Sequence, residues 1–133
     1  MPVTKNRKIL FVDDVKDALD TYKTFFEAIS YTVWTATDCD EALKVVGQVS
    51  PDLLVIEYRL SGLGGLGVVK KVREQKRPIK IMLTTTGRRE DIENEFRGLG
   101  VAQIFEKPLS LKEFQEEIEN VLKTEPIKKR EER

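Results

Sequence analysis

Short apolar runs alternate with longer amphipathic segments along the whole chain, and this alternation limits the fold more than any other feature. The apolar runs are residues 8–12, 31–36, 52–57, 79–84 and 102–106. The amphipathic segments are residues 15–29, 38–49, 66–75, 89–100 and 110–124. Strands that are apolar throughout and separated by helices form a parallel sheet covered on both faces. We therefore predict an α/β domain with five parallel strands and five helices, doubly wound by right-handed crossovers.

Helix boundaries can be predicted from capping residues. Asp38 precedes the second helical segment and is of a type that accepts a hydrogen bond from the first turn. Ser110 and Glu113 have the spacing of a capping box at the start of the last helix. Gly98 and Gly100 are predicted to close a fourth helix over residues 89–100.

The composition excludes several classes of function. The 133 residues suit one domain, and 23 basic and 23 acidic side chains give no net charge to attract nucleic acid or a membrane surface. The chain has no histidine, which removes Ser-His-Asp and Cys-His catalysis. Its one cysteine, Cys39, has no partner for an internal disulfide, and no apolar run approaches the roughly 20 residues of a membrane span. We predict a cytoplasmic protein.

Polar residues follow four of the five predicted strands. Asp13 and Asp14 follow the first, Glu57 ends the third, Thr84 ends the fourth and Lys107 follows the last. In a doubly wound sheet these strand ends meet at one edge, where such folds place their sites. Three carboxylates crowded together need a cation, and hard oxygen ligands suit Mg²⁺. A lysine at this edge would partly neutralise the acids.

These landmarks resemble those of bacterial response-regulator receiver domains. The stretches are "FVDD", "PDLLVIEYRLSGLGG", "IMLTT" and "FEKPL", and the resemblance covers residues 7 to about 123. It implies a flavodoxin-like receiver fold with strand order 2-1-3-4-5. It also implies a histidine kinase that phosphorylates an Asp at the end of the third strand, with Mg²⁺ bound by the acidic pair. Asp13 and Asp14 match that pair, and the backbone carbonyl of Arg59 matches a further metal ligand.

The remaining positions of the motif divide into matches and departures. Thr84 matches the switch hydroxyl and Lys107 the lysine before a proline. Glu57 stands where the family has the phosphoacceptor Asp, and Ile104 stands where it often has an inward-swinging Tyr or Phe. Leu60, Ser61 and Gly64 also replace the family's usual loop residues.

Glu57 is longer than Asp by one methylene, or about 1.5 Å of reach. Because phosphoryl transfer depends on positioning, we do not expect efficient phosphorylation. The extra length carries the carboxylate toward Thr84 and Lys107, where it would mimic a phosphoryl group incompletely, since it has less charge. The Arg59 side chain either bends back to pair with Glu57 or Asp14 or stays solvated.

Plainer interpretations stay open at several positions. Asp13 and Asp14 can act as a charge pair at a helix N-terminus, and Glu57 can be an exposed strand-end acid. Lys107 and Pro108 can form an ordinary turn, although the resemblance implies a cis bond. "GLGGLG", residues 62–67, matches a dinucleotide-binding fingerprint, but no acid follows about 20 residues on, so we predict a flexible loop instead.

Two functions follow from these residues. The first is a non-enzymatic signalling module of a phosphorelay that acts by protein–protein contact without phosphate. The second is a working Mg²⁺-dependent phospho-switch, in which the domain catalyses only its own slow phosphorylation from a histidine kinase. The signalling module would use the face of the fourth helix, last strand and last helix for partners or a homodimer, with Arg97, Gln103 and Phe105 as candidate surface residues. We predict a receiver domain over residues 1–123 and a charged tail over residues 124–133.

Overall fold

In a computed structural model, which describes residues 7–107 and 110–124, a parallel sheet has helices on both faces. The strands are β1 Lys8–Val12, β2 Thr32–Ala36, β3 Leu53–Glu57, β4 Lys80–Thr85 and β5 Val101–Glu106. The helices are α1 Lys16–Ala28, α2 Cys39–Val49, α3 Gly64–Glu74, α4 Arg89–Ile92 and α5 Leu111–Lys123, with a 3₁₀ helix over Glu93–Phe96. The strand order is β2-β1-β3-β4-β5, and every neighbouring pair is parallel. The predicted doubly wound fold is confirmed.

Alternate residues of the central strands enter two separate cores. Leu54 and Ile56 of β3 pack with α2, α3 and α4, whereas Leu53 and Val55 pack with α1 and α5. All four are almost completely buried. This explains why the strands are apolar at every position, since both faces of the sheet are covered.

The predicted caps of two helices are confirmed. The Asp38 side chain accepts a hydrogen bond from the Glu41 backbone N–H at 2.8 Å, and Ser110 Oγ accepts one from Glu113 N–H at 3.0 Å. Each satisfies a backbone donor that the first turn leaves unpaired. Within the described part of the chain, no helix has the length and apolar character needed to cross a membrane.

The prediction of one fourth helix over residues 89–100 is wrong. The α-helix ends at Ile92, the 3₁₀ helix ends at Phe96, and Arg97 is extended. Gly98 and Gly100 have positive φ angles of 81° and 69°, which a helix cannot continue through. We call residues 89–96 the fourth-helix segment.

Arg73 of α3 holds the chain after that segment in its extended path. Its Nε donates to the Leu99 carbonyl at 2.7 Å and its Nη2 to the Gly100 carbonyl at 3.2 Å. A helix over residues 89–100 would direct these carbonyls elsewhere, so a long-range contact overrides the local helical pattern.

Candidate functional site

The carboxyl ends of four strands bring acidic, hydroxyl and basic side chains to one edge of the sheet. Asp13 directly follows β1, Glu57 is the last residue of β3, and Lys107 directly follows β5. Thr84 of β4 lies opposite Glu57 in the strand register. Asp13, Glu57 and Thr84 are 2%, 5% and 3% exposed, so these polar groups are withdrawn from water.

Lys107 bridges the two buried carboxylates. Its Nζ lies 2.7 Å from Asp13 Oδ2 and 2.7 Å from Glu57 Oε1. Burial alone would lower the pKa of the Lys107 ammonium, but the hydrogen bonds and negative charges of Asp13 and Glu57 outweigh it and raise the pKa above its ordinary value. The lysine is therefore charged at neutral pH. We call Asp13, Glu57 and Lys107 the ion cluster.

Every carboxylate oxygen of the ion cluster has a donor. Asp13 Oδ1 accepts from the Val15 backbone N–H at 2.9 Å, and Glu57 Oε2 accepts from the Arg59 backbone N–H at 3.2 Å. Thr84 Oγ1 donates to Glu57 Oε1 at 3.4 Å. Both carboxylates are thus satisfied by groups of the domain itself, which offsets the cost of their burial.

A close backbone approach sets the position of Glu57. A Cβ on Gly65 would lie 2.7 Å from the Glu57 carbonyl oxygen and 3.0 Å from Tyr58 Cα, so only glycine fits there without a backbone shift. The Gly65 N–H donates to the Tyr58 carbonyl at 2.9 Å. The prediction of a flexible glycine loop is therefore wrong from Gly64 onward, where α3 has already begun.

Asp14 and Arg59 lie outside the ion cluster. Both residues are exposed, and among the residues that the structure describes the Arg59 guanidinium forms no ion pair with Glu57 or Asp14. Lys107, rather than Arg59, is the internal cation. Residues 7–107 and 110–124 contain no group of three or more Asp, Glu or Cys side chains placed to hold a metal ion. The assignment of Asp13, Asp14, Glu57 and the Arg59 carbonyl as metal ligands stays a prediction.

The other predicted positions are placed as follows. Ile104 is half-buried and packs against the core under α2, α3 and α4. Arg97 is exposed, whereas Gln103 Nε2 donates to Glu117 Oε1 of α5 at 2.9 Å. Phe105 packs in the opposite core, with its ring 5.5 Å from that of Phe114. Pro108 and residues 125–133 lie outside the described residues.

Tyr58 contributes a contact that the sequence pattern does not indicate. Its hydroxyl donates to Glu95 Oε1 at 2.8 Å, and its ring contacts that of Phe96 at 6.0 Å between centroids. The hydrogen bond to Glu95 raises the pKa of Tyr58, because ionisation would remove the proton that the hydroxyl donates to the carboxylate. The two residues are 37 positions apart, so no local signal relates them.

A doubly wound parallel sheet with a buried acid–lysine group at its carboxyl edge belongs to the flavodoxin-like class of α/β domains. The sequence model of the response regulator receiver domain matches residues 9–119. The chain therefore belongs to the response regulator receiver family, whose members act in two-component signalling.

Individual relatives agree with this assignment. The chain is 33% identical over 122 residues to the alkaline phosphatase synthesis transcriptional regulatory protein PhoP of Bacillus subtilis, covering 92% of this chain and 51% of that protein. It spans about half the length of this and other curated relatives it matches.

Two solved structures share the fold. A CheY-like receiver domain of Methanospirillum hungatei has a TM-score of 0.83 at 22% identity, covering 90% of this chain and 95% of that one. The response regulator TrrA of Thermotoga maritima, in complex with Mg²⁺-BeF, has a TM-score of 0.77 at 24% identity, covering 86% and 98%.

Proposed function

We propose that this receiver domain signals without phosphate, with Glu57 at the phosphoacceptor position as a partial and permanent mimic of the phosphorylated state. The observation that carries the proposal is the contact of Lys107 Nζ with Glu57 Oε1 at 2.7 Å. Glu57 reaches the cation and the Thr84 hydroxyl directly, which are the two groups that would otherwise face a phosphoryl group. The mimic is partial because a carboxylate carries one negative charge and a phosphoryl group about 1.5 to 2.

The same contacts disfavour Glu57 as an acceptor of phosphate. An attacking oxygen must be free and in line with the donor, and a misplacement of about 1 Å can slow such a reaction about 10²-fold. Glu57 Oε1 is held by Lys107 and Thr84, and Oε2 by the Arg59 N–H. Phosphorylation would have to break these bonds inside a buried site before it began.

Receiver domains typically bind Mg²⁺, and the groups at this edge fit that ion poorly in their present arrangement. Mg²⁺ needs near-octahedral oxygen ligands at about 2.0–2.1 Å. Lys107 already lies between the two buried carboxylates and supplies the positive charge that a divalent ion would bring. Asp14 and the Arg59 carbonyl would have to hold Mg²⁺ with little help from Glu57.

Receiver domains are generally not enzymes, and they interact with histidine kinases and other signalling proteins. For this chain we propose output by protein–protein contact in the cytoplasm, through the face formed by the fourth-helix segment, β5 and α5. Arg89 and Gln103 present polar groups there, and Gln103 joins β5 to Glu117 of α5 at 2.9 Å. A homodimer through this face is one form that such contact can take.

The test is intact mass after incubation with Mg²⁺ and acetyl phosphate, for the parent protein, Glu57→Asp and Glu57→Gln. We expect phosphate on Glu57→Asp alone, because the shorter acid withdraws from Lys107 and restores the family's geometry. Glu57→Gln is the matched control, since its amide cannot accept phosphate at neutral pH.

Phosphate on the parent protein would overturn the proposal and establish the Mg²⁺-dependent phospho-switch in its place. If none of the three variants is modified, the claim that the pocket survives is wrong, and the domain is a docking module without phosphoryl chemistry. Melting curves of the parent with and without Mg²⁺ give an independent check, since we expect them to coincide.

A further inference from the structure

Tyr58 connects the end of β3 to three neighbouring elements. Its backbone N–H donates to the Thr84 carbonyl of β4 at 2.8 Å, and its carbonyl accepts from the Gly65 N–H of α3 at 2.9 Å. These two bonds hold the Tyr58 backbone rigidly beside Glu57. Any movement of the Glu57 backbone must therefore move Tyr58 as well.

The Tyr58 side chain extends this connection to the fourth-helix segment. Its hydroxyl lies 2.8 Å from Glu95 Oε1 and 3.0 Å from Glu95 Oε2, so it bonds to both carboxylate oxygens. The ring meets Phe96, which is 4% exposed, in an edge-on contact. The Tyr58 side chain thus contacts two consecutive residues of the 3₁₀ helix. The contact with Glu95 is polar and the contact with Phe96 is apolar.

Apart from Tyr58, the fourth-helix segment is held at its start by the Arg89 N–H, which donates to Glu106 Oε2 of β5 at 2.8 Å, and by its buried side chains. Of its residues, Ile92 and Phe96 are buried, and the rest are exposed. A short α-helix followed by a 3₁₀ helix has little intrinsic stability, because most helical stability comes from packing. A contact that fixes Glu95 and Phe96 together therefore has a large share in setting where this segment lies.

We propose that Tyr58 is the positioning residue that transmits the state of Glu57 to the fourth-helix segment, through its hydroxyl bond to Glu95 and its ring contact with Phe96. The inference rests on the proposed function in one respect: the state that is transmitted is the Glu57–Lys107 contact. The path itself does not depend on whether Glu57 accepts phosphate.

The experiment is a double-mutant cycle read by amide hydrogen exchange in NMR. The reporters are the N–H groups of Glu93, Arg97 and Leu99, which bond to the Arg89, Asn94 and Phe96 carbonyls of the same region. The proteins are the parent, Tyr58→Phe, Glu57→Gln and the double variant. Tyr58→Phe keeps the ring and removes only the hydroxyl, so the fold is retained.

We expect Tyr58→Phe to speed exchange at the three reporters roughly fivefold, the factor that loss of one ordinary hydrogen bond produces. Glu57→Gln should speed it about threefold in the parent and clearly less in Tyr58→Phe, because only the ring contact with Phe96 then remains of the path. Glu95→Gln keeps an acceptor for the hydroxyl and should have a smaller effect than Tyr58→Phe.

Two controls separate this coupling from general destabilisation. Tyr31→Phe removes a buried hydroxyl that has no hydrogen-bond partner among the described residues, and it should leave the reporters unchanged. Amides of α1 in the same samples report global unfolding and should exchange alike in parent and Tyr58→Phe.

Equal effects of Glu57→Gln with and without the Tyr58 hydroxyl would overturn the inference, and so would unchanged exchange in Tyr58→Phe. An absence of any Glu57→Gln effect on the reporters would overturn it too. The failure of the proposed function gives a different result: phosphate on the parent protein in the mass measurement, with the cycle still non-additive.

Discussion

The two faces of the sheet are packed in different ways. The face under α1 and α5 is built on aromatic rings: those of Phe11 and Phe114 contact each other and each contacts Tyr22 and Phe26, at 5.1–5.9 Å between centroids. The face under α2, α3 and the fourth-helix segment is mostly aliphatic. Among the described residues, Phe96 is the one aromatic residue that is buried in it. The aromatic face carries two helices of 13 residues each, whereas the fourth-helix segment consists of two helices of 4 residues.

This difference suggests different roles for the two faces, one in stability and one in conformational change. Interlocked rings bury large areas and resist displacement, so the aromatic face is expected to hold the sheet together. Short helices with few buried residues shift at little cost, and on the aliphatic face they lie beside the elements that carry Glu57 and Tyr58. The fourth-helix segment, the part of the aliphatic face that is expected to adjust, is thus connected to the end of β3 through Tyr58.

The largest expected effect comes from removing a ring on the aromatic face. Phe114 is fully buried and contacts the rings of Phe11, Tyr22 and Phe105. Phe114→Ala should lower the free energy of unfolding by about 4–5 kcal/mol, the upper part of the range for such a change, because the rigid neighbours cannot collapse into the cavity. Urea denaturation followed by circular dichroism measures it.

Phe96→Ala is the matched variant on the other face. It should cost about 3 kcal/mol, at the lower end of the same range, because the short helices around it can move inward. Equal losses for the two variants would show that the faces do not differ in rigidity, and the comparison would fail.

The next largest effect is expected in the ion cluster, at the carboxyl ends of the strands that both faces share. Lys107→Met removes the cation and leaves Asp13 and Glu57 buried without it, which should cost about 3 kcal/mol at neutral pH. The pKa of Lys107 is raised in the folded protein, so the charged lysine contributes its stability below the ordinary pKa of 10.5 and loses it as the pH rises further.

Thermal denaturation of parent and Lys107→Met from pH 6 to 11 checks both statements. The difference between the two proteins should be constant up to about pH 10 and shrink above it. A difference that disappears near pH 7 would contradict a charged lysine at the centre of the cluster. Lys112→Met, which removes an exposed lysine of α5, is the control and should have almost no effect.

The sheet could be predicted from the sequence because strand and helix patterns are local. Leu53, Leu54, Val55 and Ile56 form an apolar run that is typical of a strand covered on both faces, and the structure has them in both cores. The convergence of Asp13, Glu57 and Lys107 also follows from topology, because parallel strands end at one edge.

What could not be predicted depends on contacts between distant residues. The fourth helix ends at Phe96, before the Leu99 and Gly100 carbonyls that Arg73 binds from 26 and 27 positions away. The sequence predicts the contact of Glu57 with Lys107. It leaves open whether Arg59 also pairs with Glu57 or Asp14 or stays solvated, and the structure has Arg59 exposed and outside the ion cluster. The early start of α3 at Gly64 reflects a close approach to Glu57 that no propensity scale contains.

The smallest expected effect concerns the close approach of Gly65 to the Glu57 carbonyl. The prediction is the sign of the change in the free energy of unfolding. Gly65→Ala would place a methyl group 2.7 Å from the Glu57 carbonyl oxygen, which cannot move without moving β3. The variant should lower the free energy of unfolding by about 1–2 kcal/mol despite alanine's better helix propensity. Gly47→Ala, in α2 with nothing within 4 Å of the new methyl group, is the matched control. It should raise the free energy of unfolding by about 0.5–1 kcal/mol.

Opposite signs for the two variants in urea denaturation would show that the contact between α3 and the end of β3 is rigid, so that the position of Glu57 is set from the aliphatic face. If Gly65→Ala also stabilised the protein, the start of α3 would be free to move away from Glu57. The carboxylate would then be placed by Lys107 and Thr84 alone. If this contact is rigid, α3 stays in place when Glu57 changes. The change is then expected to move Tyr58 rather than the start of α3.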